Sequence, residues 1–260
     1  MTIRLVVAVP ALAAVVALLP PALQAQAQGR GRGFGGQPPL SGRAAAPIDI
    51  TGYWVALVTD DWRYRMLTPP KGNVDYLPVN PAARQAADNW DPAADQAAGE
   101  QCRAFGAAGV MRLPGRLHIT WEDDETLRLD TEAGTQTRRF RFRASQSPAT
   151  TEPSWQGQST AQWVLPGGGR GRGPAGTGQL MVTTTSMRPG YIRKNGVPYS
   201  ADAVLREFFL RLVDDAGQEY LSVTTMVEDP RYLAQPYVKT YQFKKEPAGS
   251  AWSPAPCSAR

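Results

Sequence analysis

The chain's single histidine, His118, is the one imidazole available for acid–base work near neutral pH. It alternates with Leu117, Ile119 and Trp121 in a strand-like run, so it lies on the face opposite those three. If that polar face lines a barrel lumen, His118 points inward toward Glu207 or Arg139; alternate members of the run Arg138, Arg139, Arg141 and Arg143 face solvent, and one inward arginine could bind a carboxylate. If the apolar face packs the core instead, His118 is exposed. Glu207 and His118 are therefore the candidate acid and base. Arg139 and Tyr191 are the groups that could steady developing negative charge. The most site-like stretch is Arg188–Ser200, where Pro189-Gly190 and Asn195-Gly196 turns surround Tyr191 and Arg193 and lead to Tyr199. Tyr191, Arg193 and Tyr199, with Trp54, Trp121 and Arg139, are the candidate ligand-binding residues. The alternative for this stretch is an ordered connection without a ligand.

Other chemistries lack their signatures. There is no Gly-X-Ser-X-Gly elbow and no His-Glu-X-X-His helix. Asp123-Asp124-Glu125 resembles a calcium cluster but reads as a tight acidic hairpin turn. Neither cysteine has a His or Cys neighbour at ligand spacing, so no metal site and no cofactor are expected.

The elements that must position these residues are mostly strands. Ile48–Thr59 is rich in β-branched and aromatic residues, and Trp62–Met66 could continue it. Asn80-Pro81 and Asp91-Pro92 each put a capping residue before a proline at the first helical position, which predicts two short helices to about Trp90 and Phe105. Strands then resume at Leu117–Trp121, Thr126–Thr131, Thr135–Arg143, Ser159–Leu165, Gln179–Met187, Val204–Asp214, Glu219–Glu228 and Val238–Lys245. Short strands joined by hairpin turns predict a mainly β fold, an antiparallel barrel with a two-helix insertion after its first strand.

The N-terminus predicts export. Arg4 precedes an apolar stretch from Leu5 to Leu19, Pro20 and Pro21 end it, and Ala25-Gln26-Ala27 offers a cleavage site after Ala27. About 15 apolar residues fall short of the ~20 that span a bilayer, so a periplasmic or secreted location is expected and no membrane span. In an oxidising compartment the two cysteines, Cys102 and Cys257, are expected to pair, with two separate thiols as the alternative.

The formal charge of +5 suggests nucleic acid until it is located. Removing Arg4 leaves +4, and the five arginines of the glycine-rich tracts (Arg30, Arg32, Arg43, Arg170, Arg172) account for the rest, leaving the body near −1. Residues 28–47 read as a flexible linker, 48–260 as one domain, and 166–178 as an exposed disordered loop. Nucleic acid is not an expected partner.

Two resemblances add to this. Thr51-Gly52-Tyr53-Trp54 resembles the Gly-X-Trp element that opens lipocalins and related calycin barrels. In that fold the tryptophan closes one barrel end, an arginine from the last strand usually covers it, and the cup holds a small hydrophobic ligand. The last strand here offers Lys239, Lys244 and Lys245 for that place. More broadly, Leu117–Trp121, Ala133–Arg138, Ser154–Gly157, Arg188–Ser200 and Val227–Pro230 resemble a family of exported bacterial proteins of uncharacterised function. The resemblance implies a single exported domain and no particular activity.

The first expectation for function is a lipocalin-like protein binding a small hydrophobic or aromatic molecule in the cell envelope. The second is a cofactor-free hydratase, isomerase or lyase acting inside the barrel through Glu207 or His118. The third is an envelope assembly protein with no small-molecule site, for which a filled barrel interior would be the sign.

Overall fold

A computed structural model describes residues 42–143, 152–166, 176–247 and 252–259. The predicted signal (1–27), the Gly-Arg tract after it and most of the 166–178 loop lie outside these residues. Nine strands close a barrel: β1 (Gly52–Leu57), β2 (Arg116–Asp123), β3 (Thr126–Thr131), β5 (Gln136–Arg141), β6 (Gln158–Val164), β7 (Gln179–Thr185), β10 (Val204–Val213), β11 (Glu219–Glu228) and β12 (Tyr237–Glu246). The short strands β4 (Ala133–Gly134) and β13 (Ala255–Pro256) pair with each other, as do β8 (Gly190–Arg193) and β9 (Val197–Tyr199).

The barrel is mixed, which corrects the all-antiparallel expectation. Eight neighbouring pairs are antiparallel. The pair β5–β6 is parallel, with Phe140 opposite Ser159. Strict alternation of direction cannot close an odd number of strands, so nine require a parallel pair somewhere. The long return between Arg141 and Gln158 supplies it.

Alternation along the strands sends apolar side chains inward and fills the lumen. Trp54, Ile119, Leu129, Phe140, Phe209 and Phe243 are each 1 % exposed or less. The Phe140 and Phe209 rings lie 5.5 Å apart across the interior. Trp54, on β1, donates its indole N–H to the Ile50 carbonyl at 2.9 Å. The Lys245 ammonium sits 5.3 Å from the Trp54 ring centre. Lys245 also bonds Glu219, at 2.9 Å, and Glu219 accepts from Arg211 at 2.8 Å. The Arg211 hydrogen bond, opposed by burial and aided by Lys245, holds the Glu219 carboxyl down to about 2. That lies below its ordinary 4.5, so the stabilisation is complete above pH 4.5 and is lost as pH falls toward 2. The urea midpoint should decline across that window, and the decline should be shallower in Glu219→Gln.

One end of the barrel is covered by the connection between β1 and β2. It holds four short helices rather than two: α1 (Trp62–Met66), α2 (Pro81–Asp88), α3 (Pro92–Ala97) and α4 (Ala107–Val110). Asn80 caps α2 by accepting from the Ala83 amide, and Asp91 caps α3 by accepting from Ala93 and Ala94. Trp62–Met66 is helical, not a continuation of the first strand. Asp61 takes a left-handed φ of 52° that ends the extended run. Arg65 then anchors the turn by donating to the carbonyls of Leu57 and Arg112. The β8–β9 hairpin lies over the same end. Its turn needs Gly196, at φ +83°, where an added Cβ would lie 2.3 Å from Trp90.

The predicted Cys102–Cys257 disulfide is present and fastens β13 beside the 3-10 turn Arg103–Phe105. The described chain starts ahead of the expected boundary at 48. Gly42–Ala45 forms a 3-10 turn in which Gly42 is buried, and the Arg43 amide donates to the Asp124 carbonyl. Among the described residues, no helix is long and apolar enough to cross a membrane.

Candidate functional site

The predicted site residues separate into four places. Glu207 is inside the barrel with 0 % exposure, and both its oxygens accept from Arg138, one of them at 2.8 Å. Arg138 also donates to Thr184, and its guanidinium lies 4.9 Å from the Phe140 ring centre. The inward arginine is thus Arg138. Arg139 points outward and pairs with Glu122 at 2.6 Å on the surface. His118 is on the outer wall, stacked on Tyr53 at 4.0 Å with Trp252 at its edge. The barrel wall separates it from Glu207, so the two candidate acid–base groups are not brought together. Trp54 and Trp121 belong to the packed interior and its rim, where Trp121 meets Phe142. The acidic run is a hairpin turn in which Asp123 accepts from the Glu125 amide.

The other three predicted residues are on or beside the β8–β9 hairpin and line two different clefts. Tyr191 and Tyr199 border a cleft of about 340 Å³ with Trp90, Asp95 and Arg103. There the Tyr191 hydroxyl donates to Asp95 at 2.7 Å, and Arg103 donates to the other Asp95 oxygen at 2.7 Å. Burial, followed by Asp95, pushes the Tyr191 hydroxyl well above its ordinary value. Both Asp95 oxygens are engaged and Tyr191 keeps its proton, so this trio reads as a closed structural network.

Arg193 lines the second cleft, of about 430 Å³, with Tyr64, Tyr76, Tyr237, Lys239 and Asp61. Each comes from a different part of the end cover: Tyr64 from α1, Tyr76 from the loop before α2, Arg193 from β8, and Tyr237 and Lys239 from the start of β12. The Arg193 guanidinium stacks on Tyr64 at 4.5 Å, and Tyr64 meets Tyr76 edge-on at 6.0 Å. Tyr76 is 84 % exposed and has a left-handed φ of 61°. A bulky residue held there is strained, and nothing covers its ring in return.

Two further buried arginines that sequence reasoning missed lie in the same end cover, outside the lining of this cleft. Arg65 and Arg112 are 4 % and 5 % exposed, as buried as Arg193 at 4 %. They lock each other in place: Arg65 donates to the Arg112 carbonyl at 3.0 Å, and Arg112 donates to the Tyr64 carbonyl. Arg112 reaches the Ile192 carbonyl as well. Arg193 bonds Asn73 and the Asp75 carbonyl. Among the described residues, none of the three guanidiniums has a hydrogen-bonded carboxylate. The nearest, Asp60, is 3.9 Å from Arg65 and is itself held by Lys239 at 2.8 Å. The outer nitrogens (Nη2) of Arg65 and Arg112 are buried without a hydrogen-bond partner.

The Tyr241 ring centre lies 5.3 Å from the Arg65 guanidinium. Burial, aided by the neighbouring Arg193 and Arg65, holds Arg112 down to about 10, so it is charged at neutral pH. Buried cations normally lie against carboxylates, because desolvating a charge without a counter-charge costs several kcal/mol. Only a faint sequence signal marks this site: Arg112 sits between Met111 and Leu113, charged within an apolar run.

No family model, no curated protein and no solved structure matches the chain.

Proposed function

We propose that the chain is an exported, lipocalin-like binding protein for a small aromatic molecule, and that the ligand occupies the cleft over the covered barrel end, not the lumen. The lumen packed with Trp54, Phe140, Phe209 and Phe243 is the sign set for the envelope-assembly alternative, and the observation that carries the binding reading over it is the tyrosine-lined cleft of about 430 Å³. Its volume lies in the range of small-molecule sites. Tyr64, Tyr76 and Tyr237 give ring faces for stacking, and Arg193 and Lys239 give polar anchors at the wall. The Trp54–Lys245 contact is in keeping with the lipocalin-like part of the reading. The disulfide is in keeping with export.

Tyr76 gives the test. In Tyr76→Gly the left-handed backbone is unstrained, so stability should hold or rise by up to ~1 kcal/mol. Ligand retention on protein purified from the envelope, followed by native mass spectrometry, should fall severalfold because one stacking partner is gone. Undiminished retention in a stable Tyr76→Gly protein would place the ligand elsewhere.

A further inference from the structure

We propose that the chain carries a second site, on the outer barrel wall, which takes a neutral pyranose unit of a glycan between the C-terminal tail and the strands. Trp252 is its stacking platform, and His118, Arg128 and Asp130 supply its hydrogen bonds. The site shares no residue with the tyrosine-lined cleft.

Strand register builds one side of it. Tyr53, His118, Asp130 and Thr137 stand opposite one another across β1, β2, β3 and β5, one position per strand. Their sequence neighbours Trp54, Ile119, Leu129 and Arg138 are buried in the interior, so this row lies on the outer wall. Two of its members are rings, and they stack at 4.0 Å with 3° between their planes. The tail supplies the other side. Trp252 stands edge-on to both rings, 6.0 Å from Tyr53 and 6.1 Å from His118, and Pro254 adds to the lining. Among the described residues no ring or cation stacks on Trp252 itself. A pocket of about 230 Å³ remains between tail and wall, reaching Arg128, Asp130 and Thr137.

The lining combines two kinds of group, and a pyranose uses both. The axial C–H groups of a sugar ring form a flat apolar face with slight positive charge, which suits the electron-rich face of an indole. Its neighbouring hydroxyls suit planar, two-pronged groups. Asp130 accepts from Arg128 Nε at 2.8 Å and from Nη2 at 3.0 Å, leaving Nη1 as a donor on a side chain that is 40 % exposed. No hydrogen bond engages the His118 ring among the described residues, so its nitrogens can meet a hydroxyl. The Arg128 and Asp130 charges cancel within their pair, which favours a neutral polar ligand over an ion. The volume lies below the ~300–1,000 Å³ of drug-sized sites and suits a single ring, with the rest of the chain in solvent. The structural alternative is that Trp252 only fastens the tail. Fastening calls for a tryptophan sealed against the wall, and it does not call for a pocket beside it lined by an open guanidinium nitrogen and an unengaged imidazole.

The lone histidine makes the site directly readable, because His118 gives the single imidazole signal in the proton NMR spectrum of the untagged mature chain. Cellotetraose and chitotetraose are neutral chains of equatorially substituted pyranose rings. Titration with either should move the His118 signal saturably, with a Kd of ~1 mM or tighter. Trp252→Ala should weaken that binding at least about 10-fold, as loss of a central tryptophan anchor does. Asp130→Asn should weaken it severalfold. The His118 shift is read on the unaltered protein, so the test holds even if a variant folds poorly. Oligosaccharide binding with the His118 signal unmoved would overturn this site, and undiminished affinity in Trp252→Ala would overturn the stacking that defines it. No saturable shift with either probe up to about 10 mM would overturn the proposal as a whole. None of these results depends on the aromatic cleft, whose occupancy is read separately through Tyr76→Gly.

Discussion

Glu207→Leu alone should lower the unfolding free energy by about 3–5 kcal/mol, because it leaves the Arg138 guanidinium charged in a dry interior. Both partners have 0 % side-chain exposure, and Arg138 grips both carboxylate oxygens. The double variant Glu207→Leu with Arg138→Met should recover most of the loss, since two apolar side chains of similar size can replace a buried ion pair at little cost. Ser159 and Thr184 would remain satisfied through their own 2.8 Å hydrogen bond. Urea unfolding of the four proteins in the cycle measures this directly. A double variant as unstable as the single one would mean that the pair contributes more than charge balance. The same experiment addresses chemistry: a Glu207 engaged in this way is a structural counter-ion, with no oxygen free to move a proton for a substrate.

Opening the Cys102–Cys257 bridge is the second large effect. It joins residues 155 apart, so the oxidised unfolded chain is strongly restricted. Loss of such a crosslink typically costs 2–5 kcal/mol. Without it the tail keeps noncovalent fastening, including the Ala255 amide on the Glu132 carbonyl, the Ser253 amide on the Glu132 side chain, the Thr135 hydroxyl on the Ala255 carbonyl, Trp252 edge-on to Tyr53 and His118, and the two-residue β4–β13 pairing. Cys102→Ser with Cys257→Ser should show a lower urea midpoint and faster proteolysis C-terminal to Glu246. Reductant should shift the parent protein by the same amount and leave the double variant unmoved. A midpoint indifferent to both would mean that the tail adds no stability to the barrel.

Local features of the fold were legible in the residues. Asn80-Pro81 and Asp91-Pro92 mark helix starts because capping and proline geometry act over a few residues. The hairpins at Asp123–Glu125 and Asp214–Gln218 follow from turn chemistry in the same way. Closure with nine strands was not legible, since alternation within β5 and β6 reads the same whether the two strands pair parallel or antiparallel. Strand parity could have corrected one assignment: Phe140 and Phe142 share a face, and position 138, not 139, shares it with them. The arginine site was the least legible part. Its members come from positions 65, 112 and 193, on separate segments that only the closed barrel and its cover bring together. The hairpin Arg188–Ser200 did stand out by its turns, yet its side chains divide between two clefts, because a register shift between Tyr191 and Arg193 interrupts the alternation that would put both on one face.

The central claim is the position of the ligand: over the covered end, not within the lumen. The most direct measurement is native mass spectrometry of small molecules retained by the parent protein, by Tyr76→Gly and by Phe209→Leu, each purified from the envelope. Phe209 has 0 % exposure, in the middle of the lumen, and takes no part in the cleft. A small aromatic molecule retained at close to one per chain by the parent and by Phe209→Leu, and depleted severalfold in Tyr76→Gly, is the predicted result. Depletion in Phe209→Leu with full retention in Tyr76→Gly would contradict it and return the ligand to the barrel interior.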